Sequence, residues 1–174
     1  MTDIELIQLC KNKNPKGQEL LYRQYHSGMT RLCLRYLQNE PDTFEALTSG
    51  FLKVFKKIRD FEYQGEGSLE AWIRKIMVNE SLMLLRKRKK FYLNVELQEA
   101  NTESLNAHLD VDAEYLYDAI RRLPDGYRTV FNLHVIEGYS HKEIAEKLGI
   151  AESSSRSQLA HAKKKLRELL SSHF

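Results

Sequence analysis

The chain has 174 residues, 42% of them hydrophobic, with three prolines, eight glycines and a formal net charge of +3. This length and hydrophobic content exclude a disordered tail and allow one ordinary domain or two small ones, and the many Leu, Lys, Glu and Arg residues favour an all-α fold. Because the chain has no run of about 18 apolar residues and no Cys-x-x-Cys motif, we expect no membrane insertion, no disulfide scaffold and no metal site.

The first residues, Met-Thr-Asp-Ile-Glu-Leu, are acidic and are not typical of a secretory signal. We therefore expect a soluble, intracellular protein. In such a compartment Cys10 and Cys33 are expected to be reduced, half-buried packing residues.

The charges are segregated along the chain. Residues 51–90 hold eleven basic against five acidic residues, and residues 121–174 hold ten against six, whereas residues 91–120 hold seven acidic residues and no basic one. Two basic segments separated by an acidic one predict two surfaces for anionic ligands, joined by a segment that does not bind them.

Residues 1–93 have the apolar periodicity of a small helical domain. A short helix is expected over residues 2–13, and Pro15, which suits the first turn of a helix, begins a second helix that runs to about Leu37. A third helix is predicted over roughly residues 43–59. The positions expected to be buried on this third helix are Phe44, Leu47, Phe51, Val54, Phe55 and Ile58.

A loop over residues 60–69 precedes a fourth helix, which begins at Ser68 and has Trp72 among its apolar positions. Five consecutive cations are expected at the C-terminal end of this helix: Arg86, Lys87, Arg88, Lys89 and Lys90. A run of like charge is usually a solvated surface, and the carbonyl end of a helix attracts cations, which explains part of the run. Because five adjacent cations repel one another unless a polyanion is near, we interpret them as phosphate contacts.

An acidic linker separates this domain from a second one. Residues 94–112 contain five acidic residues and no basic residue, which predicts a solvated connection. Residues 113–174 then form a second small helical domain, in which Pro124 and Asp125 begin a helix that is expected to end at Gly138.

A helix-turn-helix is predicted within residues 138–170. Ser140 and Glu143 have the spacing of a capping box, which begins a helix, and Gly149 after Leu148 suits the left-handed conformation that ends one. The turn that remains before the next helix is too short for anything but a sharp crossing.

The second helix of this motif has an apolar face and a polar face. The apolar stripe contains Ser155, Leu159, Ala162 and Leu166. The rest of the surface carries small or hydrogen-bonding side chains: Ser153, Ser154, Arg156, Ser157, Ala160, His161 and Lys164. In a helix-turn-helix such residues enter the major groove and meet base edges, which we favour over a surface hairpin that binds nothing.

Together these motifs resemble a known family. The stretch from Leu123 to Arg128, then Phe131 and Leu133, then residues 137–145 and the Ser-rich turn resemble the C-terminal promoter-binding domain of bacterial sigma factors of the sigma-70 family. The short, two-domain extracytoplasmic-function (ECF) type fits best, with the last helix at the −35 element. The resemblance implies a cytoplasmic transcription initiation factor that is not an enzyme and needs no cofactor.

The resemblance also implies contacts with core RNA polymerase, through the clamp helices of its β′ subunit and its β flap. The residues of the third helix that correspond to the β′-binding positions are Glu45, Thr48, Phe51, Leu52 and Phe55. Thr48 and Ser49 stand where the family has a Gln-Glu pair. For Phe51 and Phe55 a role in the hydrophobic core is the favoured interpretation.

The fourth helix carries the family's pattern for reading the −10 element as a single strand. Trp72, Ile73, Ile76 and Asn79 match this pattern, and Met83 stands where an aspartate is common. Phe61 and Tyr63 in the preceding loop, Asn79 and the five cations are therefore candidate contacts with the melted strand, because aromatic rings can stack on unpaired bases. The acidic linker corresponds to the one that threads the RNA-exit channel, although simple solvation explains its composition equally well.

Two other functions compete with this interpretation. A stand-alone helix-turn-helix regulator would use residues 1–92 as a dimerisation or sensing bundle. An enzyme acting on nucleic acid has no support, because metal-binding and phosphate-cradling motifs are absent from the sequence.

The departures at Thr48, Ser49 and Met83 also suggest help from a second protein, a DNA-bound recruiter, and an anti-sigma factor is a further candidate partner.

Overall fold

The structure, a computed structural model, describes residues 1–92 and 111–171, without the side chains of residues 89–92 and 111–112. Its described residues form helices and no strand, which confirms the all-α prediction. The α-helices are α1 (Asp3–Lys11), α2 (Pro15–Leu37), α3 (Glu40–Lys57), α4 (Ser68–Tyr92), α5 (Val111–Arg121), α6 (Asp125–Phe131), α7 (His141–Leu148) and α8 (Glu152–Ser171), with a 3-10 turn at Ile58–Asp60 and a π-helical turn at Asn132–Ile136. The chain divides into two compact units, Met1–Glu103 and Ser104–Phe174.

The N-terminal unit is built from α2, α3 and α4, which pack against one another, while α1 packs on α2. Local signals start these helices: Asn14 caps α2 through the amides of Lys16 and Gly17, and Asn39 caps α3 through the amide of Asp42. The core consists of apolar side chains that the helices bury completely or almost so, among them Leu6, Leu21, Met29, Leu32, Val54, Ile73 and Met77.

α3 and α4 approach closely at Gly50. A Cβ atom at this position would lie 2.3 Å from the sulfur of Met77, so a larger residue would displace the Met77 side chain between the two helices. The same pair of helices is joined by an ion pair, 2.5 Å long, between Lys53 Nζ and the buried Glu80 Oε1. Glu80 Oε2 is buried and has no hydrogen-bond partner among the described residues.

Two expectations about burial are wrong. Phe44 was expected in the core but is 72% exposed, because α3 begins at Glu40 and turns Thr43, not Phe44, toward its neighbours. Cys10 and Cys33 are fully buried instead of half-buried, and burial raises the pKa of the Cys33 thiol to about 11. Both cysteines are therefore thiols of the core.

The C-terminal unit places α5, α6 and α7 against α8. Arg128 is completely buried, where its guanidinium donates to the carbonyl of Leu123 at 2.7 Å and to Asp125 Oδ1 at 2.5 Å. The helix predicted from Pro124 continues as α6 and then as the π-helical turn, and Gly138 follows with a φ of +80°.

Across residues 1–92 and 111–171, no helix has both the length and the apolar character needed to cross a membrane. The predicted linker, residues 94–112, lies almost entirely outside the described residues, as do the side chains of Lys89 and Lys90.

The ion pair between Lys53 and Glu80 gives a test of the N-terminal core. We expect Lys53→Met to lower the free energy of unfolding by about 1–3 kcal/mol, because it leaves a buried carboxylate without its partner. Adding Glu80→Gln should recover most of this loss, since no buried charge then remains. Urea unfolding followed by the fluorescence of Trp72, the single tryptophan, measures both effects.

The matched control is Lys56→Met, which removes an exposed cation from the same helix. A loss for Lys53→Met no larger than that of the control would contradict a stabilising role for the pair.

Candidate nucleic-acid interface

The helix-turn-helix forms as the sequence predicts. The Ser140 side chain accepts a hydrogen bond from the amide of Glu143 at 3.2 Å, and the carboxylate of Glu143 accepts one from the amide of Ser140 at 2.8 Å. This capping box begins α7, and Gly149, with a φ of +65°, ends it. α8 begins at Glu152, so the turn between the helices is as short as expected.

The two faces of α8 are also as predicted. Ser155, Leu159, Ala162 and Leu166 are buried against the rest of the unit. The proposed base-reading and phosphate-contacting residues are all exposed: Ser153, Ser154, Arg156, Ser157, His161 and Lys164. The geometry thus leaves this face of α8 open to a ligand, and its contacts with DNA remain a prediction.

Two of these exposed side chains already have partners in the unbound chain. Arg156 Nη2 donates to Glu152 Oε2 at 2.8 Å, one turn earlier on α8. The ring of His161 stacks on that of Tyr127 from α6, with 5.4 Å between centroids. Arg156 can leave its pair at small cost, because exposed ion pairs contribute little to stability.

A pair of stacked histidines, one on the π-helical turn and one at the start of α7, was not predicted from the sequence. The rings of His134 and His141 stack with 4.3 Å between centroids, and His134 Nδ1 donates to the carbonyl of Tyr139 at 2.8 Å. His141 Nδ1 and the buried Ser155 Oγ form a hydrogen bond of 2.9 Å. A polar residue in the apolar stripe of α8 was the signal that could have predicted a polar partner on α7.

The pKa of His141 is lowered from its usual value of 6.5, first by burial and then by the charge of His134. Arg156 and Lys163 also lower the pKa, and Glu152 opposes them. The folded unit therefore binds fewer protons at this site than the unfolded chain. The stability that neutral His141 contributes is complete above pH 6.5 and is lost as the pH falls through the lowered pKa of this residue.

Among the candidate −10 contacts, Phe61 does not have the exposed ring that the sequence led us to expect. It is only 8% exposed, because its ring packs on that of Trp72 with 4.8 Å between centroids, so it offers no open face for a base. Tyr63 and Asn79 are exposed, as a role in binding an unpaired strand requires. The loop leads from the 3-10 turn to Ser68, whose hydroxyl bonds the carbonyl of Gly65 at 2.6 Å.

The basic run also differs from its prediction. α4 continues to Tyr92, so Arg86, Lys87 and Arg88 lie in the body of the helix and not at its carbonyl end. Arg86 and Lys87 are exposed, and Lys87 Nζ lies 3.6 Å from Glu45 Oε1 of α3. Arg88 is half-buried and forms an ion pair with Asp42. The described cations are therefore not equivalent.

The proposed polymerase-binding face of α3 is partly open. Glu45, Thr48 and Leu52 are exposed, and Phe55 is half-buried. Phe51 is buried, in agreement with the favoured core role, and its ring contacts that of Tyr22 from α2, with 4.8 Å between centroids. Phe44, which sequence reasoning missed, lies on the same outward side, since Phe44, Thr48 and Leu52 follow one another at steps of four residues.

The histidine pair generates a prediction about pH. Lowering the pH from about 7.5 to 5.5 should destabilise the C-terminal unit, because protonating His141 is easier in the unfolded chain than in the folded one. His141→Gln should weaken this pH dependence, whereas His161→Gln, on the exposed face of α8, should leave it in place. Urea unfolding followed by circular dichroism, with an NMR titration of the imidazoles, measures both.

An NMR pKa for His141 at or above 6.5 would contradict the predicted direction.

Comparison with known protein families assigns both units. Sigma-70 region 2 matches residues 21–91, and sigma-70 region 4 matches residues 113–166. Each match falls within one of the two units, and the region 4 match contains α7 and the part of α8 up to Leu166.

Several curated proteins are similar over most of the chain. The ECF RNA polymerase sigma factor SigE of Mycolicibacterium smegmatis is 28% identical over 91% of this chain, which spans 63% of the length of that protein. The ECF RNA polymerase sigma-E factor of Haemophilus influenzae is 25% identical, over 94% of this chain and 92% of its own. SigM of Mycobacterium tuberculosis is 27% identical, over 97% and 85%.

Solved structures share the fold. The sigma factor RpoE of Bartonella quintana, in complex with the anti-sigma factor NepR, matches with a TM-score of 0.60 and 19% identity, over 90% of this chain and 98% of its own. CnrH, in complex with the cytosolic domain of CnrY, matches with a TM-score of 0.56 and 20% identity, over 99% of both chains. With region 2 and region 4 in their respective units and ECF sigma factors as relatives, the chain belongs to the sigma-70 family of RNA polymerase sigma factors, ECF type.

Proposed function

We propose that this protein docks on core RNA polymerase and directs it to promoters by reading the −35 element as duplex and the −10 element as a melted strand. The observation that carries the proposal is the open polar face of α8 on a correctly capped helix-turn-helix, in a chain whose other unit matches sigma-70 region 2. Its role is binding and positioning, without a covalent step of its own, and it acts in the cytoplasm.

The −35 element would be read by the N-terminal half of α8. Ser153, Ser154 and Ser157 are short, so the backbone can come close to the base edges while the hydroxyls donate or accept. Arg156 is the residue able to pair with both acceptors of a guanine. Lys164 lies farther along the helix, where a cation suits a phosphate.

The −10 strand would be held by the loop before α4 and by α4 itself. Tyr63 supplies an exposed aromatic ring and Asn79 an exposed amide, the first suited to stacking and the second to reading a base edge. Arg86 and Lys87 lie farther along α4, where they would meet the phosphates.

Core polymerase would dock on the outward face of α3. Phe44 and Leu52 expose large apolar surfaces there, and Glu45 adds a charge at its edge. This apolar pair replaces the polar Gln-Glu contact that Thr48 and Ser49 do not provide. In the C-terminal unit, Val135 and Ile136 are exposed on the π-helical turn and are our candidates for contact with the β flap.

The similar solved structures, CnrH with the cytosolic domain of CnrY and RpoE with the anti-sigma factor NepR, support a protein inhibitor as a further partner. Such an inhibitor would cover the same exposed apolar residues that meet polymerase, because exposed apolar area is what a competing partner can bury. A DNA-bound recruiter remains a second proposed partner.

The central experiment is to mix the protein with bacterial core polymerase and to follow both by gel filtration. A stable complex with one copy of this protein per core is the expected result. If the two proteins elute separately while the protein alone binds duplex DNA, the stand-alone regulator replaces this proposal.

Arg156→Ala tests the base-reading assignment. We expect it to cost about 1–3 kcal/mol in binding of the holoenzyme to a matched promoter and to reduce discrimination at one base pair. Arg167→Ala, an exposed arginine farther along α8, is the matched control and should leave discrimination unchanged. Equal weakening on all DNA sequences by Arg156→Ala would mark it as a phosphate contact.

Leu52→Asp tests the docking face. We expect it to weaken core binding by about 2 kcal/mol, roughly thirtyfold, because it places a charge in an apolar contact. Ile4→Asp is the control, since Ile4 is similarly exposed but lies on α1. Fluorescence titration of labelled protein with core polymerase measures the affinities, and equal affinities for the two variants would remove α3 from the interface.

A further inference from the structure

Arg88 occupies a different environment from its basic neighbours on α4. Its Nη2 atom donates to the carbonyl of Leu37 at 3.0 Å and to the carboxylate of Asp42. The Arg88 side chain is 21% exposed, whereas that of Lys87 is 63% exposed. The charged guanidinium of Arg88 is therefore paired with groups of the folded unit itself.

The acceptors of Arg88 lie at the corner between α2 and α3. Leu37 is the last residue of α2, and Asn39 caps α3 by accepting from the amide of Asp42 at 2.9 Å. The amide group of Asn39 donates to the Leu37 carbonyl at 3.2 Å and to Asp42 Oδ2 at 3.1 Å. Both acceptors of Arg88 are thus also acceptors of Asn39, and the four residues form one network.

This network joins the two proposed binding surfaces of the unit. Asp42 lies in the first turn of α3, two residues before Phe44 and three before Glu45, the proposed docking residues. Arg88 lies on α4 directly after the exposed cations Arg86 and Lys87. A charge-assisted hydrogen bond between these positions restrains one surface against the other.

We propose that Arg88 is a positioning residue that holds the basic segment of α4 in fixed register with the polymerase-docking face of α3, and that it is not a phosphate contact. This inference rests on the proposed function for the identity of the two surfaces. It separates one cation of the run, Arg88, from Arg86 and Lys87, although in the sequence the three are indistinguishable.

The test compares Arg88→Ala with Lys87→Ala in the holoenzyme bound to a promoter fragment whose −10 region is single-stranded. Lys87→Ala should make the negative slope of log K against log salt less steep by about 0.7, which corresponds to the loss of one single-strand phosphate contact. It should leave the thermal unfolding midpoint unchanged. Arg88→Ala should leave the slope unchanged, lower the unfolding midpoint of the N-terminal unit by roughly 4–8 °C and weaken core binding severalfold.

The free chain supplies an independent test. Asp42→Ala should lower the midpoint as Arg88→Ala does, and the fall in the double variant should be smaller than the sum of the two single falls, because both substitutions remove the shared contact between Arg88 and Asp42. Asp42→Asn, a milder change that keeps an acceptor oxygen, serves if either alanine variant does not fold, and it should produce a smaller fall. The fluorescence of Trp72 reports on this unit alone.

The proposal would be overturned if Arg88→Ala made the salt slope less steep to the same extent as Lys87→Ala does. It would also be overturned if the effects of Asp42→Ala and Arg88→Ala on the unfolding midpoint were additive. If the wild-type protein formed no holoenzyme, the proposed function would fail instead, and the cycle in the free chain would still decide whether Arg88 acts through Asp42.

Discussion

The packing of α3 against α4 is the contact on which the N-terminal unit depends. The pairs that join the two helices run in opposite directions along the chain: Glu45 faces Lys87, and Lys53 faces Glu80. The helices are therefore antiparallel, and Gly50 permits their close approach. Because the proposed docking face lies on α3 and the proposed −10 contacts lie on α4, one interface between two helices fixes the geometry of both.

A smaller polar contact has a similar place in the C-terminal unit. Ser155 occupies a completely buried position on α8 where an apolar residue would also fit the stripe. Its hydroxyl is hydrogen-bonded to His141 at the start of α7, and His141 stacks on His134. A directional bond in an otherwise apolar contact specifies one crossing of α7 and α8, at the cost of sensitivity to protonation.

The departures from the family pattern do not affect the cores. Thr48 and Met83 are exposed and Ser49 is only half-buried, so none of them supports the fold. Their effect falls on the surfaces proposed to meet polymerase and DNA, where the exposed Phe44 and Leu52 would make the proposed docking contact apolar instead of polar. The sigma fold is thus kept while the proposed docking surface differs from the family pattern.

Local sequence patterns were sufficient to predict the order of the helices, both ends of α7 and the two faces of α8. Ser140 with Glu143, Gly149, and the spacing from Ser155 to Leu166 act over three or four residues, so the pattern is sufficient to predict them. Three features could not be predicted in this way: the burial of Phe61 against Trp72, the exposure of Phe44, and the hydrogen bonds of Arg88 to the corner between α2 and α3. The partners of Phe61 and Arg88 lie 11 and about 50 residues away in the chain, and periodicity within one helix carries no information about which neighbour a side chain meets.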